Sequence, residues 1–166
     1  TEIFEIGGNQ GMLSIELSKF IDKIICSDYD EVAVDGMYLN ILETKSKITP
    51  VLLDIMHPIY LNSPFIEKSK PQVRFKSQAT LVLAVTHHLI LGQKKSIYEI
   101  FETILQYTKE YLFIEFMPRG IDKGPVPDWY NFDWFKEHCE KYLDILLIRQ
   151  TTDDGSRILF LGKVKN

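Results

Sequence analysis

Apolar and polar positions along the chain fall into short apolar runs separated by stripes of helical spacing. TEIFEI at the start reads as a strand, followed by a glycine-rich turn and a helix from about residue 11 carrying Met12, Leu13, Ile15, Leu17, Phe20 and Ile21. KIICSD, Lys23 to Asp28, is a second apolar strand, and Val32, Val34, Met37, Tyr38, Ile41 and Leu42 form the next helical stripe. TPVLLDI supplies a third strand ending at Asp54. Residues 56–78, with Pro58, Pro64 and Pro71, show no sustained period and read as a long loop with one short helical turn.

The second half repeats the alternation. Thr80 to Val85 is a strongly apolar strand, and Ser96 caps a helix with the stripe Ile97, Ile100, Phe101, Ile104 and Leu105 and with Glu99 at the capping-box position. YLFIEFMP is a fifth strand stopped by Pro118, and RGIDKGPVPDWYNF is a second irregular region. Phe132 to Tyr142 is the last helix candidate. DILLIRQ and RILFLGKV flank TTDDGS, whose Asp154-Gly155 signals a hairpin. Strands apolar on both faces, joined by helices, predict a parallel sheet covered on both sides. Right-handed crossovers make it doubly wound, with ligands at the carboxyl ends of the strands.

At 166 residues the chain suits one domain, and no repeat or linker divides residues 1–166. The absence of an initiator Met and a strand at residue 2 suggest an upstream segment. A net charge of -4 offers no general attraction to nucleic acid. Two cysteines, Cys26 and Cys139, are too few for a secreted disulfide framework and lack zinc spacing. No apolar run reaches the roughly 20 residues of a membrane span, so a cytoplasmic setting is expected.

The chemistry begins at EIGGNQG. Gly7, Gly8 and Gly11 lie at the first strand-to-helix turn, where glycine permits positive φ and the helix offers free N–H groups. A tight turn needing glycine for geometry alone is the bland alternative. A dinucleotide fingerprint requires G-x-G-x-x-G, and G-G-x-x-G fails that spacing.

The turn instead resembles motif I of the class I S-adenosylmethionine-dependent methyltransferases, reading Glu5-Ile6-Gly7-Gly8-Asn9-Gln10-Gly11 with Asn9 where many members carry glycine. Asp28 at the end of the second strand corresponds to the acid that holds the ribose hydroxyls. Asp54 at the end of the third corresponds to the acid that reads the adenine amino group, with Ile55 beside it. ATLVLAVTHHL resembles the fourth-strand motif, and the closing hairpin resembles the family's sixth and seventh strands. LVLAVTHHL, YLFIEFMP and SRILFL further resemble a bacterial subgroup related to nodulation protein NoeA. The resemblance implies an α/β, Rossmann-like sheet of seven strands, mostly parallel with a C-terminal antiparallel hairpin. It also implies S-adenosyl-L-methionine bound by Glu5, Gly7, Gly8, Asn9, Gly11, Asp28, Asp54 and Ile55, and a methyl group passed to an unidentified acceptor, a small molecule or natural product.

His87 and His88 follow the fourth strand, and Glu115 lies in the fifth. A histidine there has the pKa range of a general base, while capping the next helix is the structural alternative. Glu115 points either into the acceptor pocket or into a structural hydrogen-bond pair. Adjacent histidines on an extended segment diverge, and His57 and His138 lack partners by spacing, so no metal is expected. The aromatic cluster Trp129, Tyr130, Phe132, Trp134 and Phe135 reads as core packing, and Lys68, Lys70, Arg74 and Lys76 as a solvated basic lid. A cofactor-binding domain without turnover and an RNA methyltransferase stay open as alternatives, and the oligomeric state is unread.

Overall fold

The computed structural model describes residues 2–58, 70–121 and 125–165. Pro64, Lys68 and residues 122–124 lie outside them, whereas Lys70, Arg74 and Lys76 of the expected basic lid are described.

Seven strands form one sheet: β1 (Glu2–Ile6), β2 (Lys23–Asp28), β3 (Ile48–Leu52), β4 (Ser77–Val82), β5 (Thr108–Phe116), β6 (Leu143–Gln150) and β7 (Ile158–Val164). Their order is β3-β2-β1-β4-β5-β7-β6. The first five strands are mutually parallel, and β7 inserts antiparallel between β5 and β6. The expected doubly wound sheet with a closing hairpin is therefore present. Its order reverses between β1 and β4, the crevice where such sheets bind ligands.

The helices are α1 (Met12–Leu17), α2 (Glu31–Thr44), α3 (Pro71–Arg74), α4 (Ile97–Tyr107) and α5 (Phe132–Tyr142), with a π-helical turn at His88–Gly92. Asp30 starts α2 by accepting the Val32 N–H, and Ser96 starts α4 by accepting that of Tyr98. Glu99 does not complete a capping box through its side chain; it pairs with Lys95 at 3.1 Å.

Two apolar layers sandwich the sheet. On one side α4 and α5 bury Val82, Leu112, Ile114, Phe116 and Phe160 completely. Tyr130 and Phe135 belong to this layer, whereas Trp129 is half exposed, so the aromatic cluster is only in part core. On the other side, Ile15 of α1 and Met37 of α2 pack on Ile3, Ile24, Ala79 and Leu81. Along β5 the two faces differ: Leu112, Ile114 and Phe116 are fully buried, whereas Tyr111 and Phe113 are partly open.

Three strands are displaced from their expected limits, the fifth by beginning at Thr108 rather than Tyr111. The fourth runs Ser77–Val82 rather than Thr80 to Val85, because the chain turns at Ala84, which has φ 54. The third ends at Leu52, which leaves Asp54 in the following turn.

Candidate functional site

The carboxyl ends of β1 to β4 enclose a cleft of about 250 Å³. Of the residues expected to hold a cofactor, Gly7, Asn9, Asp28, Asp54 and Ile55 line it, and so does His88. Glu5, Gly8, Gly11, His87 and Glu115 are not among its walls.

The glycine turn is built for close approach. Gly7 has φ 71 and Gly11 φ 77, and Asn9 between them also takes a left-handed conformation at φ 50. Gly7 and Gly8 both donate to the Ser27 carbonyl, at 2.8 and 3.0 Å, locking the turn to β2. A Cβ on Gly8 would sit 2.2 Å from the Cys26 sulfur, and one on Gly11 2.7 Å from Met37 Cγ. Gly8 and Gly11 thus serve packing, and Gly7 alone of the three faces the cleft.

Glu5 sits beneath the turn. Ser14 Oγ and Cys26 Sγ both donate to its Oε2, the thiol at 3.3 Å. Burial raises the Glu5 carboxyl above its ordinary 4.5 despite those bonds. Cys26 is wholly buried against the turn, and the same burial pushes its thiol up.

Asp28 receives the Asn9 N–H on Oδ2 at 2.8 Å and the Asp30 N–H on Oδ1 at 3.0 Å. Asp54 folds onto its own turn, accepting from the N–H groups of Met56 and His57 at 2.8 and 3.2 Å. Its Oδ2 also meets His57 Nδ1 at 3.1 Å, and Lys95 Nζ lies 3.3 Å from His57 Nε2. His57 is thus tied to Asp54 and Lys95. His138 Nδ1 bonds the Trp134 carbonyl at 2.8 Å. Among the described residues no group of three His, Cys, Asp or Glu is arranged to hold a metal ion, and no described helix is long and apolar enough to cross a membrane.

Beyond β4 lies a second polar cluster. Glu115 is buried; its Oε2 accepts the Ala84 N–H at 2.9 Å and stands 3.7 Å from the Arg157 guanidinium. Thr151 Oγ1 reaches Oε1 at 3.5 Å. His87 is only 3% exposed and its ring lies 4.1 Å from that of His88. Among the described residues its Nδ1 has no hydrogen-bond partner. Burial foremost, then the charges of His88 and Arg157, lowers the His87 pKa from 6.5 to about 4, so the ring is neutral near pH 7. Tyr29, Ala33, Leu53, Val85, Leu89 and Gln93, with Ile6, Asp30 and Ala84, complete the cleft. Tyr29 and Leu53 directly follow β2 and β3, a position that signals them in the sequence, whereas Ala33 lies in α2 and Leu89 and Gln93 lie in and just after the π-helical turn.

No family model matches the sequence. Nodulation protein NoeA of Rhizobium meliloti is 28% identical over 123 residues, covering 70% of this chain and 25% of that protein. The chain thus spans a quarter of that curated relative's length. Among solved structures, a SAM-dependent methyltransferase from Aquifex aeolicus superposes with a TM-score of 0.69 at 13% identity, over 99% of this chain and 82% of the other. The N-methyltransferase NodS from Bradyrhizobium japonicum, solved with S-adenosylhomocysteine, gives 0.67 at 13% identity, over 100% of this chain and 79% of the other. The chain shares the fold of these two methyltransferases. Within that fold the β1 turn, Asp28 and Asp54 occupy consecutive strand ends, and His87, His88 and Glu115 follow at the next two.

Proposed function

We propose that the chain is an S-adenosylmethionine-dependent methyltransferase acting on a small-molecule acceptor. The observation that carries this reading is the convergence of Gly7, Asn9, Asp28, Asp54 and Ile55 on one cleft at the switch point of the sheet.

The donor set fits the cofactor. Each Asp28 oxygen accepts one backbone N–H and retains lone-pair capacity for a ribose hydroxyl. Ile6, Ala33, Leu53, Ile55 and Leu89 provide apolar walls for a planar base, with Asp54 as an acceptor at the same end. Gly7 exposes backbone where a side chain would collide with Val85, since its Cβ would stand 2.4 Å from Cγ2. Glu5 acts from below, through Ser14, by fixing α1 against the turn.

When bound, the cofactor supplies an electrophilic methyl group on a sulfonium, so the chain has to align the acceptor and take up its proton. His88, which lines the cleft, is the residue proposed to receive that proton. His87, buried and stacked on it, sets the ring's position. Glu115 is a positioning residue that holds Ala84 in its turn conformation. A bacterial, cytoplasmic setting belongs to this reading.

Calorimetric titration with S-adenosylhomocysteine, with NADH in parallel, tests the cofactor. Saturable binding of the first is expected; binding of NADH alone overturns the reading.

A further inference from the structure

Unlike Asp28, Asp54 stands outside a strand: β3 ends at Leu52, and the Asp54 side chain is 46% exposed. A carboxylate so placed needs neighbours to aim it. Its Oδ1 accepts the N–H groups of Met56 and His57. Those two bonds pin one oxygen but leave the carboxylate plane free to swing about it. The third contact sets the plane, with Oδ2 standing 3.1 Å from Nδ1 of His57.

The His57 ring is gripped in turn from another element. Its Nε2 lies 3.3 Å from Nζ of Lys95. Lys95 immediately precedes Ser96, the cap of α4. Its backbone N–H donates to the Leu89 carbonyl at 2.9 Å, and its Nζ pairs with Glu99 Oε1. Held at both ends, the Lys95 side chain is only 20% exposed. A line of four side chains, Glu99, Lys95, His57 and Asp54, therefore runs from the first turn of α4 to the cleft. It ties together two walls of that cleft, Leu53, Asp54 and Ile55 on one side and Leu89 and Gln93 on the other.

The line also fixes a tautomer. A lysine ammonium only donates, so the Nε2 that it touches has to accept, and the ring proton is left on Nδ1. Nδ1–H then donates to Asp54 Oδ2, which retains capacity for one further donor. The exocyclic amino group of adenine is such a donor. The exocyclic oxygen of hypoxanthine is not, and would meet a carboxylate oxygen with no proton between them.

We propose that His57 is a positioning residue for adenine recognition: backed by Lys95, it sets the Asp54 carboxylate so that the site takes an adenosyl group and rejects an inosyl one. The inference rests on the methyltransferase reading above.

Calorimetric titration of the chain with S-adenosylhomocysteine and with S-inosylhomocysteine tests it. The parent should prefer the adenosyl compound at least about tenfold. His57→Ala should weaken the adenosyl compound about tenfold and leave the inosyl one within about twofold, a selective loss that mere loosening of the turn would not give. His57→Asn places an amide N–H where Nδ1 stands and should keep the adenosyl affinity within about threefold. Lys95→Met should weaken adenosyl binding in the parent but not in the His57→Asn background, because an amide has no tautomer to fix. A parent without preference, equal losses on both compounds, or an Asn variant as weak as the Ala one overturns the proposal, and so does a Lys95 effect that persists beside Asn. Normal adenosyl binding by His57→Ala sinks this inference alone. A parent that binds neither compound removes the methyltransferase reading and the inference with it.

Discussion

Asp28 Oδ2 accepts the backbone N–H of Asn9 at 2.8 Å across 19 residues of sequence, so the acid at the end of β2 holds the turn after β1. Carboxylate and turn are one unit, and the cleft depends on both. Asp28→Ala removes the ribose acceptor and frees the N–H groups of Asn9 and Asp30 together. Affinity for S-adenosylhomocysteine should fall at least about tenfold, about 1.4 kcal/mol. Unaltered affinity by calorimetry would remove Asp28 from the site.

Glu115 separates a structural carboxylate from a catalytic one. Glu115→Gln keeps an oxygen for the Ala84 N–H, so stability should change by less than about 1 kcal/mol and turnover should survive. Glu115→Ala leaves that N–H and the Arg157 charge unmatched and should cost about 2–4 kcal/mol in urea unfolding. Abolished turnover in a stably folded Gln variant would make Glu115 the proton acceptor instead.

The glycines of the turn are not equivalent. Gly8→Ala drives a methyl into the Cys26 sulfur, with Glu5 Cδ only 3.1 Å away, and should destabilise by about 1–3 kcal/mol. Asn9→Gly, at φ 50, relieves a left-handed side chain and should lie within about 1 kcal/mol of the parent. Thermal unfolding of the pair checks the contrast; equal losses would contradict it.

His87 makes stability fall in acid. Its folded pKa, about 4, lies below the ordinary 6.5, so its contribution is complete above pH 6.5 and is lost as pH falls through 4. Up to about 3 kcal/mol is involved. His87→Phe should flatten the unfolding free energy between those pH values. An unchanged slope would mean that His87 is accessible to water.

Much of this was legible in the chain. The strand Lys23–Asp28 and the helix Phe132–Tyr142 begin and end where the apolar pattern and their flanking residues put them. The motif residues gather at one edge because strand ends of a parallel sheet share that edge. What escaped the reading depends on distant partners. The end of β4 is set by Glu115, 31 residues on, capturing the Ala84 N–H, and no local pattern carries that. Glu5 resembled a ligand residue yet lies under the turn, because Ser14 and Cys26, 9 and 21 residues away, claim its carboxylate. Hairpin chemistry at Gly155 makes β6 and β7 neighbours, but alternation cannot say which of them meets β5.

The burial of Cys26 against Gly8 turns the thiol into a natural clock. A soft electrophile can reach Sγ only after the β1 turn swings away, since no part of the residue is open to solvent. Its alkylation rate, separated from that of Cys139 by peptide mapping, counts those openings one by one. A ligand seated on the turn should slow the count without touching the sulfur.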